Sequence, residues 1–426
     1  MSKVEQILKS RFTRKSKGEL RFKVYLGVVL LLLISLFFLY SVYYQKKYIS
    51  VGVLLSLSGP MSVSEKPLLD SYQLAIEEIN KAGGINGTYI RTLVRDTESN
   101  WSKAAIEAEK LIQEDHVSVL FGCWTSACRI KVKKVVEKHN HLLVYPLQYE
   151  GLEQSPNIFY TGATPNQQII PAINWLLQHR KEKFFIVGSE YIFPRVSATI
   201  IKDLLKFRKA KFVGESFVPL GQMEFSEAVS MIVKAKPDII VNLINGLDNQ
   251  AFFSQLREAG IKSKDIPVIS FSIGEAELTN MKMPEIDGDY VAWNYFQTIE
   301  HHENEKFKRM VHKKIGPDKP IGDPFVSAYI GVKMWAAAYS DTISGDLDLI
   351  RSDLSLENII SPDGSIVSAD AKSNHCWKTV YIGQITQRNT IKVVWTSGKP
   401  IRPEPFPLYR TRRYWSNLLI KYRSGG

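Results

Sequence analysis

The sequence predicts an α/β protein of two lobes, each built on a parallel sheet covered by helices, preceded by one transmembrane helix. Three observations predict it. From Tyr48 onward, apolar strand-like runs alternate with amphipathic helical stretches, the pattern of βαβ units. There are eleven such runs, more than one doubly wound sheet ordinarily takes, so two lobes are expected. Ahead of them, Val24 to Tyr44 is 21 residues without a charge.

Taken in order, that uncharged run comes first. At about 1.5 Å per residue it reaches roughly 30 Å, the thickness of a bilayer's hydrocarbon core. Tyr40, Tyr43 and Tyr44 stand at its far end, where aromatic rings favour the interface. Eight basic residues precede it and only Lys46 and Lys47 closely follow. The positive-inside rule then predicts a cytoplasmic segment 1–23, a signal anchor 24–44 and a single-pass inner-membrane protein whose remainder lies in the periplasm or outside the cell. A cleaved signal peptide is the competing reading. It wants a shorter apolar region and a small-x-small site, whereas Leu39 is followed by YSVYYQKKY.

Next come a buried-strand run at 49–56 and a helix at 68–79, the latter closing on Ala82-Gly83-Gly84 as a C-cap signal. Strands 88–96, 117–122 and 141–146 alternate with helices 101–114 and 126–139. A second series has helix 167–180, strand 183–188, helix 194–207, strand 211–218, helix 225–234, strand 238–244, helix 249–259 and strand 266–272. Runs 289–295, 379–385 and 391–397 also read as strands.

Charge excludes one class of partner. The formal net charge of +12 belongs to the two ends, and the middle of the chain holds 41 basic against 40 acidic residues. A nucleic-acid-binding domain carries its positive charge on the folded body, so none is expected. Cys123, Cys128 and Cys376 are too few for a disulfide framework. Cys123 and Cys128 could pair in an oxidising compartment, but a free buried thiol is the plainer expectation for each. The histidines lack metal-ligand spacing, so neither metal nor cofactor is expected.

In doubly wound sheets, ligands bind in loops at the carboxyl ends of strands, beside helix N-termini. Three loops there are rich in hydroxyls and aromatic rings: Cys123-Trp124-Thr125-Ser126, Tyr145 through Gly151, and Gly188 through Arg195. The plain alternative makes the serines helix caps and the tyrosines core.

The segments GCWTSA (122–127), YPLQYEGLEQSPNIFYTGATPNQQIIPA (145–172), GSEYIFPR (188–195), INGLDNQAFF (244–253), SFSIGEAE (270–277), AWNYFQ (292–297) and DPFVSAYIGV (323–332) carry a family likeness. The chain resembles, over about residues 50–407, the urea and short-chain-amide substrate-binding proteins of ABC transporters. These are type 1 periplasmic binding proteins of the branched-chain-amino-acid-receptor kind. The resemblance implies two Rossmann-like lobes closing as a clam shell: lobe 1 at 48–163 and 298–368, lobe 2 at 164–297 and 369–408. It also implies that Ser126, Tyr145 and Tyr191 hold a planar amide, with Thr125, Trp124, Gln148, Glu190, Asn245, Gly246 and Ser272 around them. Serine at a helix start offers a hydroxyl and a backbone donor, and tyrosine can stack while donating. Charged clamps are not expected for such a neutral ligand.

The function implied is a membrane-anchored solute-binding protein that delivers urea or a short amide to an ABC permease. The alternative is a ligand-sensing lobe pair that signals to a membrane partner. A hydrolase is disfavoured, because Ser126 lacks a G-x-S-x-G elbow and a neighbouring base. The basic-aromatic tail 409–426 places Trp415, Leu418, Leu419 and Tyr422 at helical spacing. Two readings stand for it: a helix docked on its own lobe, or an interfacial segment on anionic lipid.

Overall fold

The computed structural model describes residues 3–43, 48–342 and 345–423. The chain divides at Tyr48/Ile49 into two units. In the first, Lys3–Tyr43 is one helix. Among the described residues no helix is long and apolar enough to cross a membrane, which corrects the expected transmembrane signal anchor and the inner-membrane localisation built on it. The uncharged run with described side chains is Val24–Phe37, fourteen residues. The side chains of the expected anchor's remainder, 38–44, lie outside the described residues.

The second unit is built on two sheets. Strands β1 (Tyr48–Leu55), β2 (Tyr89–Asp96), β3 (Leu120–Gly122), β4 (Leu143–Tyr145) and β5 (Ile158–Tyr160) begin the first. Strands β6 (Lys183–Ser189), β7 (Lys211–Val218), β8 (Ile239–Leu243), β9 (Val268–Ser270) and β10 (Tyr290–Trp293) begin the second. The chain then returns to the first sheet with β11 (Asn358–Ile360), β12 (Ile366–Asp370) and β13 (His375–Cys376), and ends in the second with β14 (Tyr381–Thr386) and β15 (Thr390–Thr396). The strand orders are β11-β12-β13-β5-β4-β3-β1-β2 and β15-β14-β10-β9-β8-β6-β7. Pairing is parallel through the middle of each sheet, as in β1 with β3 and β6 with β8, and antiparallel where β11–β12 and β14–β15 join. The two-lobed α/β expectation therefore holds. The apolar sequences of β1 and β8 fit strands covered on both faces, and β8 is buried throughout.

Because β13 pairs with β5, the last crossover follows Cys376 and so comes later than the 369 limit drawn from sequence. The three crossovers are stitched together. Asn294 Nδ2 donates to the carbonyls of Gln167 at 2.9 Å and Thr379 at 2.8 Å, and the buried Lys378 Nζ donates to the Thr161 carbonyl at 2.9 Å.

The tail is a docked helix. In Arg412–Arg423, Trp415 is fully buried and packs with Leu419 against Leu152, Val196 and Ile200. Arg410 pairs with Asp203 through Nε at 2.7 Å and Nη2 at 2.6 Å, and Trp415 Nε1 donates to the Pro407 carbonyl at 2.8 Å. Trp415→Ala is expected to destabilise this unit by about 3 kcal/mol in thermal melts. A loss under about 1 kcal/mol would mean that the helix detaches freely.

Candidate ligand cleft

Numbering each lobe's first five strands from its own start, both sheets run 2-1-3-4-5. In that order the connections after strands 1 and 3 leave in opposite directions and open a crevice at the carboxyl ends. The loops after β1 and β3 thus form one wall of a cleft, and those after β6 and β8 the other. The two lobes are closed on each other. Ser64 Oγ donates to Glu277 Oε1 at 2.6 Å, Gln148 Nε2 donates to the Phe271 carbonyl at 3.0 Å, and the Trp101 and Tyr191 rings lie 6.0 Å apart.

On the first lobe, Thr125 caps helix Ser126–Lys138, its hydroxyl accepting from the Cys128 N–H at 3.2 Å. Cys123 and Cys128 are joined in a disulfide, with Cα atoms 5.7 Å apart, which corrects the expectation of free thiols. The bridge encloses Trp124, Thr125, Ser126 and Ala127. It is the bond expected of a chain matured in an oxidising compartment. Cys376 is a buried free thiol.

Ser126 and Tyr145 are buried side by side in this wall, but both hydroxyls are already engaged within the protein. The Ser126 hydroxyl donates to Glu150 Oε2 and accepts from Arg129 Nη1 at 3.0 Å, while Tyr145 donates to the Trp124 carbonyl at 2.6 Å. Arg129 is completely buried. Its Nε donates to Glu153 Oε1 at 2.9 Å and its Nη2 to Glu150 Oε1 at 3.0 Å, and its guanidinium lies 4.4 Å from the Tyr149 ring centroid. Charged groups therefore do stand in the cleft wall, against the sequence expectation. Glu150 lay inside the YPLQYEG segment, but nothing in a linear pattern marks Arg129 as its partner.

On the second lobe, Tyr191 precedes helix Ile192–Phe207 and is buried. Burial raises its pKa well above the ordinary tyrosine value, and the nearby Tyr145, Glu150 and Glu65 add to the effect across the cleft. Glu190 faces solvent instead, ion-paired to Arg195. Asn245 is turned into its own loop, its Nδ2 donating to the Leu243 carbonyl at 3.2 Å, while its backbone N–H donates to Ser189 Oγ at 3.1 Å. Gly246 has φ +66° and backs onto the first lobe, where an added Cβ would meet the Pro60 carbonyl oxygen at 2.7 Å. Ser272 Oγ and Gln148 Oε1 are buried with no hydrogen-bond partner among the described residues.

Sequence reasoning missed two further residues of this wall, Glu65 and Tyr72. Glu65 is buried in the first turn of helix Ser62–Lys81, accepting from the Ser56 N–H at 2.7 Å. Burial pushes its carboxyl up to about 7, despite that hydrogen bond. Its position just past β1, at a switch point, was the available signal. The open grooves of about 560 and 370 Å³ lie elsewhere, around Lys372, and hold none of the expected site residues.

Two doubly wound lobes closed on a shared buried polar cleft are the architecture of a solute-binding protein. Residues 49–412 match the family described as periplasmic binding protein domain, and the chain belongs to it. Among its relatives, Leu/Ile/Val-binding protein homolog 3 of Brucella melitensis is 24% identical over 222 residues, covering 50% of this chain and 59% of that one. Leu/Ile/Val-binding protein BraC3 of Rhizobium johnstonii is 26% identical over 199 residues, covering 45% and 53%. The chain thus spans between half and three-fifths of the length of these two relatives. Homolog 6 of Brucella melitensis is 24% identical over 352 residues, covering 80% and 88%.

Among solved structures, an ABC-transporter solute-binding protein from R. palustris in complex with 4-hydroxybenzoate superposes with TM-score 0.77 at 20% identity, covering 85% of this chain and all of that one. The branched-chain amino acid transporter substrate-binding protein LivJ of Streptococcus pneumoniae, in complex with isoleucine, gives 0.71 at 20% identity, covering 84% and 100%. At such identities the likeness shows the fold. Family membership makes the chain a non-catalytic solute-binding protein of the type 1 class.

Proposed function

We propose that this chain is an extracytoplasmic solute-binding protein that closes on urea or a short-chain amide and delivers it to an ABC permease. The observation that carries the reading is the closed cleft, where Tyr72 OH, Ser272 Oγ and Gln148 Oε1 are buried without hydrogen-bond partners among the described residues. Buried polar atoms left unpaired cost stability, and a small solute with N–H donors and a carbonyl can satisfy such atoms. The aromatic rings of Tyr145 and Tyr191 supply flat apolar surface beside them. In this reading Ser126 acts by holding Glu150, and Thr125 and Trp124 shape the loop. The sensing alternative leaned on a membrane tether and is not carried forward.

Calorimetric titration with urea, acetamide, leucine, isoleucine and benzoate tests this. Saturable binding of urea or acetamide is expected, with the amino acids and benzoate at least tenfold weaker. Binding of leucine or benzoate alone would replace the amide reading with that of the named relatives.

A further inference from the structure

We infer that Glu65 and Tyr72 line the ligand pocket and select a neutral solute rich in N–H donors against carboxylates; the inference rests on the proposed function and names the residues that set its specificity. Glu65 and Tyr72 are seven residues apart on helix Ser62–Lys81, two turns on, and so share one face. That face is fixed toward the cleft, because Glu65 is bonded to the Ser56 N–H at the end of β1. Tyr72 is fully buried with its ring 5.4 Å from Phe121 on β3, and its hydroxyl has no hydrogen-bond partner among the described residues. Burial raises the Tyr72 pKa well above the ordinary tyrosine value, and Glu65 and Tyr145 lie close enough to add to it.

Glu65 has no basic partner among the described residues; Ser56 is its hydrogen-bond donor and its charged neighbour is Asp96. A buried carboxyl with no cation beside it calls for N–H donors. The rest of the wall points the same way. The carboxyls of Glu65, Glu150 and Glu153 outnumber the single guanidinium of Arg129, whose Nε, Nη1 and Nη2 are each committed to the protein. A carboxylate ligand would enter beside acids with no free cation among the described residues of the wall to receive it. Urea, with four N–H bonds and one carbonyl, suits acceptors at Glu65 and Gln148 Oε1 and a donor at Tyr72.

The test compares the full chain with Glu65→Gln and Tyr72→Phe by calorimetry, using urea, acetamide, leucine and benzoate as probes and thermal melts to verify folding. Glutamine can still accept from Ser56, and phenylalanine removes only the unpartnered hydroxyl, so both variants should melt as the parent does. Each is expected to weaken urea binding at least tenfold, and Glu65→Gln is also expected to strengthen benzoate or leucine binding at least fivefold. Urea binding by the parent with unchanged affinity in either variant overturns this inference and leaves the amide reading standing. A parent that binds neither urea nor acetamide overturns both.

Discussion

Arg129→Met is expected to destabilise the first lobe by about 3–5 kcal/mol, the range for removing one partner of a buried ion pair. The guanidinium is fully buried and bonded to Glu150, Glu153 and Ser126. Burial alone would lower its pKa, but Glu153 and Glu150 outweigh that and hold it above the ordinary arginine value. Methionine fills much of the same volume yet leaves two carboxyls in the interior without their cation. Arg129→Lys should recover only part of the loss, because one ammonium cannot reach acceptors that a planar fork spans. The triple variant Arg129→Met, Glu150→Gln, Glu153→Gln should recover more, since the cost lies in stranded charge rather than in lost attraction. Scanning calorimetry of the three variants decides it. Equal melting of Arg129→Met and the parent would show that the network contributes nothing to the fold. Behind the guanidinium, Tyr149 OH lies 2.6 Å from His375 Nε2, and burial pushes that imidazole down to about 3. The site is therefore held by a neutral, fully buried histidine, and disturbance at Arg129 should spread toward β13.

How much of this was legible follows from what a linear pattern can encode. Long apolar runs such as those of β1, β6 and β8 announce themselves, because strands buried on both faces need nearly continuous branched and aromatic residues. The three-residue β5 and β11 and the two-residue β13 are too short to show a period, and β13 moved the last crossover past Cys376. Tyr191, Ser126 and Tyr145 stand at or just past the carboxyl ends of strands, where a linear pattern can mark them. Their hydrogen-bond partners it cannot, since Glu150 lies 24 positions from Ser126 and reaches it only through the fold. Burial is also invisible in sequence. No linear pattern marks Glu65 and Arg129 as buried charges, while Glu190, chosen for its place in a motif, faces solvent. The Cys123–Cys128 bridge depended on a loop that brings the two Cα atoms within bonding range. Trp415 stood on the correct helical stripe, and only its burial against Val196 and Ile200 separated docking from lipid contact.

Gly246→Ala is expected to weaken ligand binding by about ten- to a hundredfold while leaving each lobe folded. Gly246 follows β8 and sits at φ +66°, so any side chain there carries roughly 1 kcal/mol of left-handed strain. That strain is the same in open and closed forms and does not alter their balance. The contact across the cleft does. A Cβ at this position would lie 2.7 Å from the Pro60 carbonyl oxygen and 3.3 Å from Met61 Sδ, both in the opposite lobe. The near atom is backbone, which yields only if the lobes separate, so the substitution penalises the closed state selectively. Apparent affinity falls in proportion to the population of the binding-competent state, so a closure penalty of about 1.4–2.8 kcal/mol gives the stated range. Gly260→Ala is the control: Gly260 has φ +82° in the same lobe, with nothing near its would-be Cβ, so it carries the strain without the contact. Calorimetry with urea or acetamide should separate the two variants. Small-angle scattering at matched saturation should show the radius of gyration shrinking with ligand in the parent and in Gly260→Ala, and less in Gly246→Ala. If Gly246→Ala binds as tightly as Gly260→Ala, closure onto Pro60 is not needed for binding, and the solute is held by one lobe alone.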